Sequence, residues 1–309
     1  MGRVGLLGST TTFVEVTCPG LLGTANTTAE VFILSDRLAL AGAVEALEAE
    51  AWAQLNGFTS RAFKERVGLA VHRVDSAVCI VATHSPILAM NRVLALGCPD
   101  PASEAQIDEI LALFDRSAKC LIHLSPLAEP AEIREWLVAR GGYLTAPTIK
   151  LVRPLSAHER IDSTCELELR AVRADEIHEF EAIVSAELGV PADLVDGISS
   201  TIGRPGWRYY FALDSGEPVA TAALFIRGMH AWFGLAATRD SHQRRGAQTA
   251  LVAKRIEDAA RAGCTYGSAD TSVPTAERPN QSLKNMQRLG FESLYERINY
   301  IIPLRTDPT

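Results

Sequence analysis

The stretch His242-Gln243-Arg244-Arg245-Gly246-Ala247-Gln248-Thr249-Ala250-Leu251 is a basic, glycine-bearing turn that opens a segment of helical periodicity. An apolar run at residues 231–237 precedes it. A strand that passes through such a turn into a helix makes an anion cradle. The N–H groups of the first helical turn have no partner inside the helix, and the helix dipole adds positive charge there. Gly246 lets the backbone approach a ligand closely, and Arg244 and Arg245 add charge-assisted contacts. The guest this chemistry suits is a phosphate or pyrophosphate.

The neighbouring elements must hold that turn in place. Ahead of it, the pattern predicts a strand at 166–171, a helix at 175–188 and a second helix after Pro191, which suits a first-turn position. Strands at 207–213 and 219–226 flank the turn signal Asp214-Ser215-Gly216. Behind it, the helix carries Val252, Ile256, Ala259 and Ala260 on one face and stops at Gly263. A strand at 266–270, a helix at 282–289 and strands around 291–294 and 298–303 follow. The first half shows a similar order. A helix at 38–54 presents Leu40, Val44, Leu47 and Ala51, and strands are expected at 69–74, 77–82 and 92–96. Ser103 caps a helix facing Ile107, Ile110, Leu111 and Phe114 inward; then come a strand at 120–124, a helix at 131–140 stopped by Gly141-Gly142, and a strand at 148–152. The Gly- and Thr-rich start, residues 1–30, reads as an irregular or edge segment, and the polar stretch 156–164 reads as a linker. Two domains follow, 1–160 and 161–309. Their shared order suggests an internal duplication, without a residue-level repeat.

Bulk properties narrow the class. With 47% hydrophobic residues each half can bury a core, and no apolar run approaches the roughly 20 residues a membrane helix needs. The start lacks a signal-peptide core and cleavage site. A net charge of −7 argues against nucleic acid as a partner. Cys18, Cys79, Cys98, Cys120, Cys165 and Cys264 form no CxxC pair and read as reduced core residues, not as metal ligands or disulfides. The expectation is a cytoplasmic protein that binds neither membranes nor nucleic acid.

The order strand, Gln-x-x-Gly-x-Gln turn, helix, strand, and then Asn280 to Gly290-Phe291, resembles the GCN5-related N-acetyltransferase (GNAT) family. Gln243, Arg244, Arg245, Gly246 and Ala247 fit the family's Arg/Gln-x-x-Gly-x-Gly/Ala signature, while Gln248 stands where a small residue is usual. The resemblance covers about 166–303. It implies an α+β (mixed α/β) fold of two GNAT-like domains, each a mixed, mostly antiparallel twisted sheet flanked by helices, with strands splayed at the acyl-CoA site of the second. It implies acetyl-CoA as co-substrate, without a metal. The backbone of Arg244, Arg245, Gly246, Ala247, Gln248 and Thr249, after Gln243, would grip the pyrophosphate. Leu235, Ala236 and Ala237 would pair with the pantetheine arm, an N–H of Leu235 or Ala236 facing the thioester carbonyl. Asn280 would contact the cofactor or cap its helix.

Acyl transfer to an amine also needs proton chemistry. Many family members place a Tyr acid four residues before the Gly of Gly-Phe; here that position is Met286. Ser282, Tyr295 and Tyr300 are the substitutes, and His230, Asp270 and Glu187 the candidate bases. Trp207, Tyr209, Tyr210 and Trp232 could wall the acceptor pocket or serve as core. In the first half the corresponding run is Arg92 to Ser103, with Pro99, Asp100 and Pro101 and no phosphate signature. It resembles the degenerate first half of tandem acetyltransferases. The expected function is N-acetylation of a small-molecule primary amine by direct attack, in a monomer (a pseudo-dimer within one chain) or a homodimer. The alternatives are a CoA-binding protein with little or no turnover and a tandem acetyltransferase like the one that makes mycothiol.

Overall fold

The computed structural model describes residues 28–157, 159–161, 165–191 and 195–304. The Gly- and Thr-rich start, part of the expected linker and the chain just after Pro191 lie outside the described residues. The fold below is that of the compact unit Ala39–Thr309.

The strands are β1 (Leu69–Val74), β2 (Ala77–Ala82), β3 (Arg92–Leu94), β4 (Lys119–Leu124), β5 (Tyr143–Pro154), β6 (Glu168–Ala171), β7 (Trp207–Asp214), β8 (Glu217–Arg227), β9 (His230–Thr238), β10 (Tyr266–Ser272) and β11 (Glu292–Pro303). They form one sheet in the order β1-β2-β3-β4-β11-β5-β10-β9-β8-β7-β6. The β3–β4 and β9–β10 pairs are parallel and the remaining pairs antiparallel, which is the mixed, mostly antiparallel sheet expected. Both halves run through the same series: a hairpin, a third strand, a helix, a strand parallel to the third, a helix and a long last strand.

The halves do not close separate sheets, because their last strands are exchanged. β5, which ends the first half, lies between β10 and β11, and β11 lies between β5 and β4. The runs expected at 291–294 and 298–303 are a single strand, β11, with register shifts at Ser293/Tyr295 and Arg297/Asn299. A bulge interrupts side-chain alternation while the strand continues. That is why one strand reads as two in the sequence.

Helices α1 (Thr28–Gly57), α2 (Arg61–Val67), α3 (Glu104–Ala112), α4 (Ile133–Ala139), α5 (Ile177–Leu188), α6 (Asp196–Ser199), α7 (Ala247–Arg261) and α8 (Gln281–Arg288) cover both faces. On one face α3 and α4 bury Ile107, Ile110 and Leu137 against Val93 and Ile122, while α7 buries Leu251, Val252 and Ile256 against Ala222, Leu224 and Phe233. On the other face α1 crosses the middle of the sheet. Its Val44 packs with Val152 and Leu294, its Leu47, Ala51 and Leu55 with Trp207, Phe225 and Trp232, and its Ala49 and Ala53 with Val78, Ile80 and Leu94. One helix therefore belongs to the cores of both halves.

No described helix is long and apolar enough to cross a membrane, and among the described residues no cluster of His, Cys, Asp or Glu could hold a metal ion. The five described cysteines are free; burial pushes the Cys79, Cys98 and Cys120 thiols up to about 12.

Candidate active site

Beyond β9 the chain makes a short 3-10 turn, Asp240–His242, and enters α7. Gly246 occupies the cap position at φ 83°, a left-handed conformation that glycine adopts without a Cβ penalty. No side chain caps α7 and no acid stands in its first turn. Its leading N–H groups therefore have no local partner. The counterpart, α3, is built the opposite way. Ser103 accepts from the Gln106 N–H, the Gln106 side chain accepts from the Ser103 N–H, and Glu104 adds negative charge. The turn before α3 is also covered: a Cβ on Gly42 of α1 would meet the Pro99 Cβ at 2.8 Å.

Side chains brace the second-half turn. Gln243 Nε2 donates to Asp240 Oδ1 at 2.6 Å, and Arg245 Nη1 donates to Asp214 Oδ2 at 2.6 Å. His242 Nε2 lies 3.3 Å from that same oxygen. The Arg245 hydrogen bond holds the Asp214 carboxyl below its ordinary range. Arg244, at φ 64°, makes no ion pair among the described residues.

The strands leading here part company. β9 and β10 pair at residues 230–232 with 266–268 and at no later position, although they continue to Thr238 and Ser272. On its other side β9 bulges against β8. Thr221 pairs with Ala237 and Ala223 with Gly234, so Leu235 and Ala236 face Ala222 alone. Leu235 takes φ 49° at this bulge. A cavity of about 130 Å³ on the α1 face, lined by Trp52, Leu55, Val184 and Ile198 among others, reaches Leu235. Asp270 stands on the stretch of β10 that has left β9 and pairs with β5 alone. It keeps solvent-exposed surface while protein surrounds it, as on the floor of a cleft. Burial and then Glu48 push its carboxyl up, against the pull of Lys150, Arg297 and Arg92.

The remaining candidates are dispersed. Asn280 caps α8, accepting from the Leu283 N–H, and its amide donates to Thr271 Oγ1 at 2.8 Å and to the Ser272 carbonyl at 2.6 Å. It ties α8 to the open end of β10. Gln248 donates to Ser282 Oγ at 2.6 Å and accepts from Asn285 Nδ2 at 2.7 Å, so its departure from a small residue joins α7 to α8. Met286 is buried in the core beside Phe233 and Phe291. Tyr295 donates to Glu45 Oε1 at 2.6 Å, and burial, followed by Glu45, raises its hydroxyl well above the usual range. β5 separates its strand from β10 by about 10 Å in all, a consequence of the strand exchange. Tyr300 faces the α3–α4 core. His230 begins β9, five residues and about 16 Å from Leu235, stacked on Tyr266, with burial lowering its pKa. Tyr295, Ser282 and His230 are not brought together. Trp207, Tyr209 and Trp232 line the α1–α5 side, whereas Tyr210 points to the opposite face and donates to Asp258. Glu187 lies on α5.

Residues 174–291 match the family model described as acetyltransferase (GNAT) family. That segment is a GNAT domain. It contains the bulge, the Gly246 turn, Asp270 and Asn280, and it stops at Phe291, before β11. GNATs that resemble the chain in fold include one from Kribbella flavida (17% identity, covering 84% of this chain and 96% of that one, TM-score 0.58). Another, from Sphaerobacter thermophilus, has 15% identity over 88% of this chain and 94% of that one, with a TM-score of 0.53. A tandem GNAT protein from the clavulanic acid biosynthesis pathway has 14% identity over 70% of this chain and 75% of that one, with a TM-score of 0.51. No curated protein matches the sequence.

Beside the GNAT domain's cleft lies a set of charges that sequence reasoning missed. Glu48 of α1 receives Lys150 Nζ and the Arg297 guanidinium, and Arg297 Nη2 also reaches Glu45 Oε1 at 3.0 Å. All four side chains are buried. Burial alone would raise the Glu48 carboxyl, but Arg297 and Lys150 outweigh it and hold it well below its ordinary range. The available signal was two glutamates three residues apart inside an apolar helix stripe, and the cations Lys150 and Arg297 between apolar residues of β5 and β11.

Proposed function

We propose that the protein is an acetyl-CoA-dependent N-acetyltransferase acting on a small primary amine. One observation carries the reading: an uncapped α7 behind Gly246 stands at the end of a strand that separates from its parallel neighbour. A pyrophosphate needs converging N–H donors, and an extended amide chain needs unpaired strand backbone. The backbone of residues 244–249 would hold the first and Leu235, Ala236 and Ala237 the second, with Asn280 keeping the end of β10 in place. Acetyl-CoA would supply an activated acyl group there. An N–H of Leu235 or Ala236 would serve as the oxyanion donor. Asp270 is the base this reading favours, because it is exposed on the open stretch and its raised carboxyl takes up a proton more readily than an ordinary one. Residues 1–160 and 161–309 read as two GNAT-like copies joined by exchanged last strands, in one cytoplasmic monomer or a homodimer; their shared order of elements from the hairpin onward supports this. The capped α3 supports a first copy without a donor site.

Met286, buried where many family members carry a tyrosine, favours the second reading of a CoA-binding protein that does not turn over. Calorimetry with acetyl-CoA, followed by thiol release on an amine panel that includes the mycothiol precursor, separates the two. Binding with release supports the enzyme. Binding without release on a broad panel favours the second reading, and absence of binding removes both.

A further inference from the structure

We infer that the acceptor amine carries an uncharged apolar group of about four to six carbons, and that this group fills the cavity beside Leu235. This rests on the acetyltransferase reading above.

The cavity, about 130 Å³, is walled by both halves of the chain. Trp52 and Leu55 of α1 and Phe63 of α2 come from the first, Val184 of α5 and Ile198 of α6 from the second, and Leu235 of the β9 bulge joins them. Among the described residues no charged side chain lines it. Its polar lining residues, Asn56 and Thr59, donate to backbone instead. Asn56 Nδ2 bonds the Trp52 carbonyl at 2.8 Å, and Thr59 Oγ1 bonds the Asn56 carbonyl at 2.8 Å. Such a lining takes up an apolar group by removing both surfaces from water, and it rejects a charge that would be buried unpaired. An apolar cavity of about 150 Å³ takes a benzene ring, which sets the size of the group.

Contacts behind the walls fix their places. The Arg92 guanidinium lies 3.8 Å over the Trp52 ring, and Trp232 meets that ring edge-on at 5.8 Å. The backbone of α6 sits against α1 at Gly197, where a Cβ would lie 2.1 Å from the Leu55 carbonyl oxygen. An empty apolar cavity forfeits contacts its lining would otherwise make, and a bound group restores them.

Position decides which reactant the cavity serves. A pantetheine arm paired with β9 would lie in the sheet with its thioester carbonyl in the plane of the strands. An amine attacks a carbonyl out of its plane, so it must arrive from one face of the sheet. The α7 face is closed there, because Ala236 packs against the cluster that holds Phe233, Ala269 and Met286. Leu235 packs the other way, against the cluster of Trp207 and Trp232 beneath α1 and α5. Asp270, next to Ala269, also takes that face, where the charges of Glu48, Lys150, Arg297 and Arg92 act on it. Leu235 stands three residues and Asp270 two beyond the last pair of β9 and β10, Trp232 with Ser268. An amine over the thioester would therefore have Asp270 on one side and the cavity on the other.

The test uses the full-length protein and thiol release from acetyl-CoA with ethylamine, isobutylamine, isoamylamine and benzylamine, against ethanolamine and a short diamine. A rise in kcat/KM of about fourfold per added methylene is expected until the cavity is full. The diamine should be at least tenfold poorer than isoamylamine. Val184→Phe, which narrows the cavity, should cost isoamylamine and benzylamine at least tenfold more than ethylamine, and Val184→Ala should favour the larger of the two. A flat series in the wild type, a preference for the diamine, or a Val184→Phe loss that falls alike on every amine overturns the inference. So does a gain for butyryl-CoA over acetyl-CoA that Val184→Phe removes, since the acyl chain would then fill the cavity. If Val184→Phe does not fold, Val184→Ala and the wild-type series decide. Calorimetry of the same amines with coenzyme A bound reads the cavity without turnover. Selective binding of isoamylamine without thiol release would remove the acetyltransferase reading and keep the apolar subsite, whereas release without selective binding would do the reverse.

Discussion

Burial, and then Glu48, raise the pKa of Asp270 above that of an ordinary carboxylate, and this sets a pH signature. A base must be unprotonated, so kcat/KM should fall as pH drops through a pKa above that of an ordinary carboxylate. Asp270→Asn should remove this acidic limb and lower kcat by about 10²–10⁴, with acetyl-CoA affinity intact. A pH–rate profile of both proteins checks it; an unchanged limb in the variant would rule Asp270 out. His123 gives a stability signature of its own. Burial, then Arg297 and Arg92, lower its folded pKa to about 3 from the unfolded 6.5, so the unfolded chain binds the extra proton between those values. Its contribution is fully present above pH 6.5 and is lost as pH falls toward 3. Replacing it by Gln should flatten the pH dependence of unfolding by up to about 1.4 kcal/mol per pH unit in that window, measured by denaturant titration. The Gly246 turn and Asp270 were legible in the sequence because their signals are local: a strand, a glycine, a helix start. The cavity beside Leu235 was not, since its walls come from four helices and a bulge that meet only in the packed interior.

α1 shows how far an element can be read from its own periodicity. The stripe Leu40, Val44, Leu47 and Ala51 marks a buried helix face, but it does not say that Ala49 and Ala53 face β1–β3 while Leu55 faces β7–β9. Nor does it say what Glu45 and Glu48 meet, because Lys150 and Arg297 lie more than a hundred residues away in sequence. Removing one partner of a buried ion pair leaves the other charge uncompensated, at a cost of about 3–5 kcal/mol. Glu48→Gln should therefore destabilise the protein by that order, and adding Lys150→Met should recover part of it in a double-mutant cycle. Since Arg297 and Lys150 keep the Glu48 carboxyl well below its ordinary range against its burial, its stabilising effect is present above pH 4.5 and lost as pH falls below that. Additive losses in the cycle would show that the pair is not coupled. The contrast between α3 and α7 belongs here too. Ser103, Glu104 and Gln106 announce a capped helix in sequence, and Gly246 announces an open one.

Both halves repeat the same order of elements, and that order was visible; the exchange of last strands was not. Periodicity identifies a strand without naming its neighbour, and Ile149, Leu151 and Val152 of β5 would suit a strand bound for either half. Yet the exchange decides how the molecule holds together. β5 bonds β10 along one edge and β11 along the other, while β11 also bonds β4. A chain of residues 161–309 would keep the donor turn but leave β10 without β5, exposing an unpaired strand edge of the kind that aggregates. It would also lack α1, whose Leu47, Ala51 and Leu55 complete the core under Trp207 and Trp232. Expressed alone, this half should therefore be aggregated or lack a cooperative unfolding transition, and so should residues 39–160. Co-expressed, the two should assemble one to one and regain acetyl-CoA binding within about threefold of the whole protein, because the strands pair without needing the linker. Light scattering after size exclusion, with calorimetry of acetyl-CoA, reads both outcomes. A soluble, cooperatively unfolding 161–309 that binds acetyl-CoA as tightly as the full chain would mean that the exchanged strands and the shared helix are dispensable to the site.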